Sequence, residues 1–238
     1  MKRLGIVVAM TAEARSLVPK SMLLKDGLIP ISGGTVIQLS GVGPRRAGVA
    51  GKNLLGHGAT ALLSWGSAGG LVATLSAGSL VLPSKVIGAD QSFYLTDPAW
   101  YERLLDRLKG FVNIHQGSLA ESVTALKTPA EKRTLFERTG AIAVDMESGA
   151  VAKVAQEAGV PFMAVRAIAD SADMAIPQSP LKAVDEFGEL SLPTLLSGLI
   201  RHPAELFDMI RLGWNFRAAQ VTLAKVVRLA GTQLLIPQ

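Results

Sequence analysis

One stretch of the chain, AVDMESGAVAKVAQEAGVPFMAVRAIADSAD, constrains its fold more than any other. Its hydrophobic pattern predicts three elements: a buried strand over 141–144, a helix over 148–158, and a second strand over 161–168. This unit places Glu147 just past the first strand and Asp170 just past the second. Because open α/β sheets bind ligands at the carboxyl ends of their strands, we expect both acids at one site.

Strands and helices alternate along the rest of the chain as well. Strands are predicted over 4–9, 35–39, 61–65 and 112–121, and a bent pair around Pro83 over 79–82 and 85–87. GSAGGL, residues 66–71, reads as a turn, SGVGPRRAG as a glycine-rich turn before a helix, and residues 91–101 as an aromatic loop before a helix over 100–109. This order indicates an α/β sheet. Glu13, Ser67, Glu147 and Asp170 then follow four strands at one edge of it.

Composition narrows the classes of protein that fit. A chain of 238 residues with 49% hydrophobic residues forms a sizeable core, most economically as one domain. It has no cysteine and only three scattered histidines, so we expect neither a disulfide nor a metal site. The first apolar run is too short to span a bilayer and lacks a cleavage site, so it predicts a strand in a cytoplasmic protein.

The net charge of +5 suggests an anionic partner. The charge alone fits phosphate or an anionic membrane surface as well as it fits nucleic acid. No nucleic-acid motif is present and aromatic residues make up only 5%, so we expect no nucleic acid. GVGPRRAG imitates a dinucleotide fingerprint, but Arg46 stands where the third glycine belongs and no acid ends the next strand. We therefore expect no nicotinamide cofactor, and none of another kind.

Four motifs, AMTAEA, SWGSAGGL, VDMES and VRAIADSAD, together resemble the nucleoside phosphorylase and nucleosidase superfamily. The likeness is to the methylthioadenosine/S-adenosylhomocysteine nucleosidases in particular and covers about residues 4–190. It implies a single-domain three-layer α/β/α fold with a central mixed, twisted sheet, a catalytic domain over 1–200 and a helical extension over 201–238 packed on it. It also implies a homodimer.

The same resemblance implies roles for individual residues. Asp170 would protonate N7 of an adenine leaving group, Glu147 would hold the ribose 2′ and 3′ hydroxyls, and Glu13 would activate the attacking water. Other positions would line the substrate: Ser67, Ala68 and Gly69 at the water or anion end, Met146 under the sugar, and Val123 at the adenine edge. Carboxyl groups suit this reaction, because breaking an N-glycosidic bond develops a cationic sugar and an anionic purine.

Two departures from the family pattern leave alternatives open. Ala169 stands where nucleosidases usually carry a serine before the acid, which allows a catalytically silent nucleoside- or lipid-binding protein. Ser64 stands where phosphorylases usually carry a phosphate-binding arginine, which favours water as the nucleophile. Arg45 and Arg46 nevertheless follow GVGP at a predicted helix N-terminus, a place that binds phosphate, so phosphorolysis remains the alternative.

The tail from Arg201 predicts two helices separated at Gly213, the second a basic amphipathic helix over 216–230. It either packs on the domain or meets anionic lipid. VDMESGAVAKVA, AIADSADMAIP and this tail resemble the hopanoid-biosynthesis nucleosidase/phosphorylase family, which implies adenosylhopane as the substrate and peripheral contact with the inner membrane. A lipid at the 5′ end of the nucleoside needs an apolar channel, and the candidate walls are Phe93, Tyr94, Trp100, Trp214 and Phe216.

Overall fold

Nine strands pair into one sheet in the part of the chain that the computed structural model describes, which is residues 3–23, 27–177, 185, 187, 205–234 and 236. The strands are β1 (Leu4–Val8), β2 (Leu28–Pro30), β3 (Val36–Leu39), β4 (Ala61–Gly70), β5 (Leu80–Ile87), β6 (Phe93–Leu95), β7 (Ile114–Glu121), β8 (Ala143–Asp145) and β9 (Phe162–Asp170). The α-helices in these residues are α1 (Thr11–Ala14), α2 (Pro44–Gly56), α3 (Pro98–Leu108), α4 (Pro129–Thr139), α5 (Ser148–Glu157) and α6 (Glu205–Ala230).

The sheet is mixed and closes on itself around its longest strand, β4. Strands β1 and β9 run parallel to β4, and β8 runs antiparallel to its end at Gly69 and Gly70. β8 pairs with β7, β7 with β5, and β5 with β9. These four strands and β4 therefore form a closed ring of five strands. β1 and β8 meet the same edge of β4 from opposite directions, which leaves residues 66–68 between them.

Helices cover both faces of the sheet. Helices α2 and α5 pack on one face, and α3 and α6 pack on the other. Strand β1 shows the division, since Ile6 belongs to the core under α3 and α6 whereas Val7 belongs to the core under α2 and α5. Successive residues of a strand point to opposite faces, so an apolar run such as LGIVV fits a strand buried on both sides. The predicted three-layer α/β/α fold is confirmed.

The strand–helix–strand unit predicted around Glu147 is correct in its elements and wrong in its direction. β8 and β9 both pair with β4, one antiparallel and one parallel, so they run in opposite senses. β9 also extends to Asp170, which is therefore the last residue of the strand and not the first residue after it. Hydrophobic periodicity indicates which residues are buried. It does not indicate which strands a three-residue strand such as β8 pairs with, or in which direction.

Residues 66–70 continue β4 and do not form the predicted turn. Their small size serves close approach, because a Cβ at Gly66 would lie 2.8 Å from the carboxyl atoms of Glu13, and one at Gly69 would lie 3.0 Å from Asp170 Oδ2. The pair of strands predicted around Pro83 is likewise one strand, β5, whose register with β7 shifts between Pro83 and Lys85.

The tail forms one helix, α6, and not two, because it continues through Gly213. Glycine in a helix interior costs only about 1 kcal/mol, which the burial of the helix face offsets. Leu223 and Val226 are fully buried in the core, and the Trp100 indole donates to Leu234 O over 2.6 Å. The boundary predicted near residue 200 lies outside the described residues. No described helix combines the length and the apolar character that crossing a membrane requires.

Candidate active site

A cavity of about 260 Å³ opens where β1 and β8 approach the same edge of β4. Four carboxyl residues line it; Asp145 is paired with Arg166, and the other three are Glu13 from α1, Glu147 at the start of α5, and Asp170 at the end of β9. Each of these residues is less than 10% exposed. The remaining walls are Ala9, Met10, Val42, Ser67, Ala68, Gly69, Ser122, Thr124, Ala125, Leu126, Lys132, Val144, Met146, Ala169 and Ile176.

Glu13 is fixed by β4 and by the start of its own helix. Its Oε1 accepts the Ser67 backbone N–H over 2.7 Å and the Ser67 hydroxyl over 2.6 Å, and its Oε2 accepts the Met10 N–H over 3.2 Å. Burial raises the pKa of Glu13 above its ordinary value, and the Ser67 hydroxyl and the nearby Arg166 charge offset part of that rise. A carboxylate with a raised pKa is a better base toward a bound molecule than an ordinary glutamate.

Glu147 lies at the N-terminus of two helices. It is the N-cap residue of α5, and its Oε1 accepts the backbone N–H of Gly43, the N-cap residue of α2, over 2.8 Å. Burial raises the pKa of Glu147 to about 8, and the nearby Asp145 carboxylate adds to that rise. The Arg166 charge and the Gly43 N–H oppose it. The side chain therefore changes between an acid and an anion close to physiological pH.

Asp170 is paired with a lysine that comes from α4. Lys132 Nζ lies 2.5 Å from Asp170 Oδ2, and the lysine side chain is 1% exposed. Burial raises the pKa of the Asp170 carboxyl, and the Lys132 ammonium offsets part of that rise. The result is a buried carboxyl group with one oxygen assigned to a fixed cation, a setting that suits a proton donor.

A second buried ion pair supports the cavity from behind. Arg166 Nε donates to Asp145 Oδ2 over 2.6 Å, and Arg166 Nη2 donates to the hydroxyls of Ser64 and Ser148. Asp145 also accepts the backbone N–H of Ser148 over 3.2 Å, which orders the first turn of α5. Because each charge has partners, this network can hold the chain near Glu147 in one conformation.

The structure brings seven of the predicted site residues to the cavity: Glu13, Ser67, Ala68, Gly69, Met146, Glu147 and Asp170. Val123 is not among the lining residues and its side chain is 61% exposed; Thr124, Ala125 and Leu126 line the wall instead. The structure therefore does not bring the Val123 side chain to the cavity, and the adenine contact at this position stays a prediction.

The predicted aromatic walls also lie elsewhere. Phe93 is on the short strand β6 with its side chain 65% exposed, not in a loop at the cavity. Tyr94 and Trp100 are buried in the two cores, Phe216 packs on one of them, and Trp214 is exposed on α6. Arg45 and Arg46 occupy the first turn of α2 and do not line the cavity.

Lys132 and the Asp145–Arg166 pair are site residues that the sequence did not reveal. Lys132 belongs to a helix whose start is marked by a capping box, in which Thr128 and Glu131 bond to each other's backbone N–H. That signal predicts the helix, but a lysine in its first turns ordinarily faces water. Only the packing of α4 against the end of β9 shows that this one is buried.

Solved structures with the same architecture are nucleosidases and related hydrolases. Futalosine hydrolase of Helicobacter pylori superposes with a TM-score of 0.70 at 19% identity, covering 95% of this chain and 96% of that one. A 5′-methylthioadenosine/S-adenosylhomocysteine nucleosidase from Neisseria meningitidis, in complex with methylthio-immucillin-A, superposes with a TM-score of 0.71 at 19% identity, covering 98% and 100%. At this identity the likeness establishes the fold alone.

Sequence comparison identifies the family. The family model of the Phosphorylase superfamily matches residues 27–197. A 5′-methylthioadenosine/S-adenosylhomocysteine nucleosidase of Shewanella oneidensis is 27% identical over 205 residues, which are 72% of this chain and 85% of that protein. One from Thermotoga maritima is 30% identical over 140 residues, 56% and 64% of the two chains. The chain belongs to the phosphorylase superfamily, and it is an enzyme of the nucleosidase and phosphorylase type.

Proposed function

We propose that the chain hydrolyses the N-glycosidic bond of an adenine nucleoside and releases adenine. The observation that carries this proposal is the convergence of Glu13, Glu147 and Asp170, three buried carboxyl groups with raised pKa values, on one cavity. The names of the similar nucleosidases support adenine as the leaving base.

Each carboxyl group has one task in the reaction. Asp170 donates its proton to N7 of the purine while the bond between C1′ and N9 breaks, so that the electron pair of that bond stays with the base. Water adds to C1′ of the cationic sugar and loses its proton to Glu13. Glu147 accepts hydrogen bonds from the ribose hydroxyls and places negative charge beside the sugar. Acid catalysis of this kind contributes about 10²- to 10⁴-fold.

Two observations support water over phosphate as the nucleophile. The N–H of Gly43 at the start of α2, the group a phosphate would use there, already donates to Glu147. Arg45 and Arg46 do not line the cavity, whereas the carboxyl groups of Glu13 and Glu147 do, and these would repel a phosphate dianion. Phosphorolysis is therefore the weaker alternative.

The proposed substrate is adenosylhopane, a nucleoside that carries a pentacyclic lipid at its 5′ end. The likeness of VDMESGAVAKVA, AIADSADMAIP and the tail to the hopanoid family supports it. On α6, Phe207 and Trp214 expose 79% and 73% of their surface beside the exposed Arg211 and Arg217. Aromatic and basic side chains together are typical of a surface that meets anionic lipid, and peripheral membrane contact through α6 is part of the proposal.

A homodimer is the assembly that we propose. Phe93 and Leu95 are 65% and 68% exposed on β6, an edge strand. A second copy of the chain would remove these apolar side chains from water. Light scattering coupled to size exclusion should give twice the mass of 25.0 kDa; a mass of one chain contradicts the dimer without bearing on the reaction.

The decisive experiment follows free adenine by chromatography after incubation with adenosylhopane and, separately, with methylthioadenosine, each with and without phosphate. We expect adenine from adenosylhopane, at a rate that phosphate does not change. Adenine from methylthioadenosine alone would retain the reaction and reject the lipid substrate. A requirement for phosphate would establish phosphorolysis, and no adenine under any condition would reject the proposed function.

A further inference from the structure

Lys132 is enclosed at the end of β9 by three oxygen atoms. Its Nζ lies 2.5 Å from Asp170 Oδ2 and donates to the backbone carbonyls of Ser171 over 2.6 Å and Met174 over 2.9 Å. A lysine ammonium has three hydrogens, and two of them donate to these backbone carbonyls, whereas the contact with Asp170 Oδ2 is an ion pair. The cation therefore has a fixed position and orientation.

Burying this ammonium is costly, and its partners, Asp170 and the two backbone carbonyls, offset that cost. An unpaired charge in the interior is strongly destabilising, so a lysine that is 1% exposed needs its partners. Helix α4 already packs on the domain through Leu135, which belongs to an apolar cluster with Ala141 and Val144. An apolar side chain at position 132 would serve packing alone equally well.

The residue before the acid cannot orient it. Ala169 carries only a methyl group, so the neighbouring position offers Asp170 no side-chain hydrogen bond. A side chain at Gly69, on the paired strand, would crowd the acid and not support it, because its Cβ would lie 3.0 Å from Asp170 Oδ2. Ala169 and Gly69 thus give the carboxyl group no polar side chain. Lys132, which lies on a helix 38 residues earlier in the chain, supplies one.

We propose that Lys132 is the positioning residue for the acid of the reaction: it holds Asp170 Oδ2, directs Oδ1 to the purine, and stabilises the carboxylate that remains after proton transfer. This inference rests on the proposed function. It assigns the ammonium no contact with the substrate, since the ion pair with Asp170 and the hydrogen bonds to Ser171 O and Met174 O already hold it. The proton moves from Asp170 to the base, and the lysine stays protonated throughout.

Removing the cation should weaken the acid. An opposite charge in contact lowers the pKa of a carboxyl group by about one to three units, so in Lys132→Met the pKa of Asp170 should rise by about one unit or more. Because the acid must be protonated, activity falls as pH rises through its pKa, and that fall should move to higher pH in the variant. The turnover number at lower pH should drop about tenfold, since a weaker acid protonates the purine less readily.

The test measures the pH profile of adenine release and, independently, the titration of Asp170 by ¹³C NMR of carboxyl-labelled aspartate, with the signal assigned from Asp170→Asn. Lys132→Met keeps the volume without the charge, and Lys132→Arg restores the charge. Lys132→Gln serves if the methionine variant does not fold, because its amide keeps a donor for Ser171 O. Arg133→Met, on the exposed side of α4, is the matched control.

We expect the NMR titration and the pH profile to shift upward together in Lys132→Met, to return toward the parent in Lys132→Arg, and to stay unchanged in Arg133→Met. A lower turnover number with neither shift would show that Lys132 only secures the turn after β9, and would overturn the inference. If the parent enzyme releases no adenine, the proposed function fails while the NMR titration still reports whether Lys132 governs the protonation of Asp170.

Discussion

Gly43 donates its backbone N–H to Glu147 Oε1 over 2.8 Å, which joins the N-termini of α2 and α5 across 104 positions of the chain. The positive end of a helix favours an anionic Glu147, whereas burial and the Asp145 carboxylate favour the protonated form and raise its pKa to about 8. The two influences nearly balance at physiological pH. A sugar hydroxyl that donates to this oxygen would shift the balance toward the anion.

Replacing Glu147 should therefore weaken the hold on the sugar. Glu147→Gln keeps an oxygen for the Gly43 N–H but removes the anion, and a hydrogen bond to a charged group contributes about 1.5–3 kcal/mol. We expect kcat/KM for adenine release to fall about 10- to 100-fold. Glu157→Gln, at the exposed far end of α5, is the control and should leave kcat/KM unchanged. Equal kcat/KM values for Glu147→Gln and Glu157→Gln would show that Glu147 does not bind the sugar.

Asp170→Asn and Glu13→Gln should abolish most of the chemistry and leave binding intact. Neither variant can transfer the required proton, so kcat should fall about 10²- to 10⁴-fold in each. Calorimetric titration with a non-reactive adenine nucleoside should still show binding. Asp173→Asn is the control, because Asp173 is exposed and accepts a hydrogen bond from the nearby Ser171 hydroxyl. Full activity in Asp170→Asn would contradict the role of the acid.

Two carboxyl groups of the site were predictable from sequence because each lies at or after the end of a strongly apolar strand. Glu13 comes after LGIVV and Asp170 ends FMAVRAIAD, patterns that burial on both faces of a sheet requires. The fold class was predictable for the same reason. The direction of β8 was not, because β8 pairs antiparallel with β4 and parallel with β7, and these pairings depend on the closure of the whole ring.

Lys132 and Gly213 show why other features escaped prediction. A lysine reads as a surface residue, and only the arrangement of α4 against β9 gives it three buried acceptors. A glycine reads as a helix break, but the packing of α6 on the core outweighs that local preference. In both cases tertiary contacts decide what the local sequence leaves open.

A methyl group added on β4 should disturb the acid directly. The Cβ of Gly69→Ala would lie 3.0 Å from Asp170 Oδ2 and 3.3 Å from Val144 Cγ1, so the carboxyl group must shift by a few tenths of an ångström. Misplaced reacting groups lose up to about 100-fold in rate. We expect kcat to fall about tenfold with little change in melting temperature. Gly56→Ala on α2, where a Cβ meets nothing within 4 Å, is the control and should retain full kcat.

The buried Glu121 should make the free energy of unfolding depend on pH. Its Oε1 accepts the Ala150 N–H over 2.8 Å, and burial raises its pKa from the ordinary 4.5 to about 7. The folded state then binds more protons than the unfolded state between these values, so the free energy of unfolding falls as pH rises from about 4.5 to about 7. Glu147, with its pKa near 8, extends the fall in the same direction.

Glu121→Gln removes the first of these two groups. We expect the fall in unfolding free energy between pH 5 and pH 8 to be smaller by roughly 2 kcal/mol, measured by urea denaturation. The exposed Glu137→Gln on α4 is the control and should follow the parent at both pH values. A difference between Glu121→Gln and the parent that is the same at pH 5 and pH 8 would show that Glu121 is not protonated on folding.

The two faces of α6 should differ sharply in their contribution to stability. Leu223 is fully buried against the sheet, whereas Val221, two residues earlier, is 61% exposed. Truncating a buried leucine leaves a cavity and costs about 2–5 kcal/mol, so Leu223→Ala should lower the free energy of unfolding by that amount. Val221→Ala should change it by less than about 0.5 kcal/mol.

Leu223→Ala, paired with a variant on the exposed face of α6, separates folding from lipid contact. If α6 touches anionic vesicles through its outer face, Trp214→Ala should weaken vesicle binding without lowering the melting temperature, because Trp214 is 73% exposed. Leu223→Ala should lower the melting temperature while its outer face remains unchanged. Co-sedimentation with vesicles that contain anionic lipid gives the binding, and neutral vesicles provide the comparison. Equal sedimentation of the parent and Trp214→Ala would contradict contact through this face.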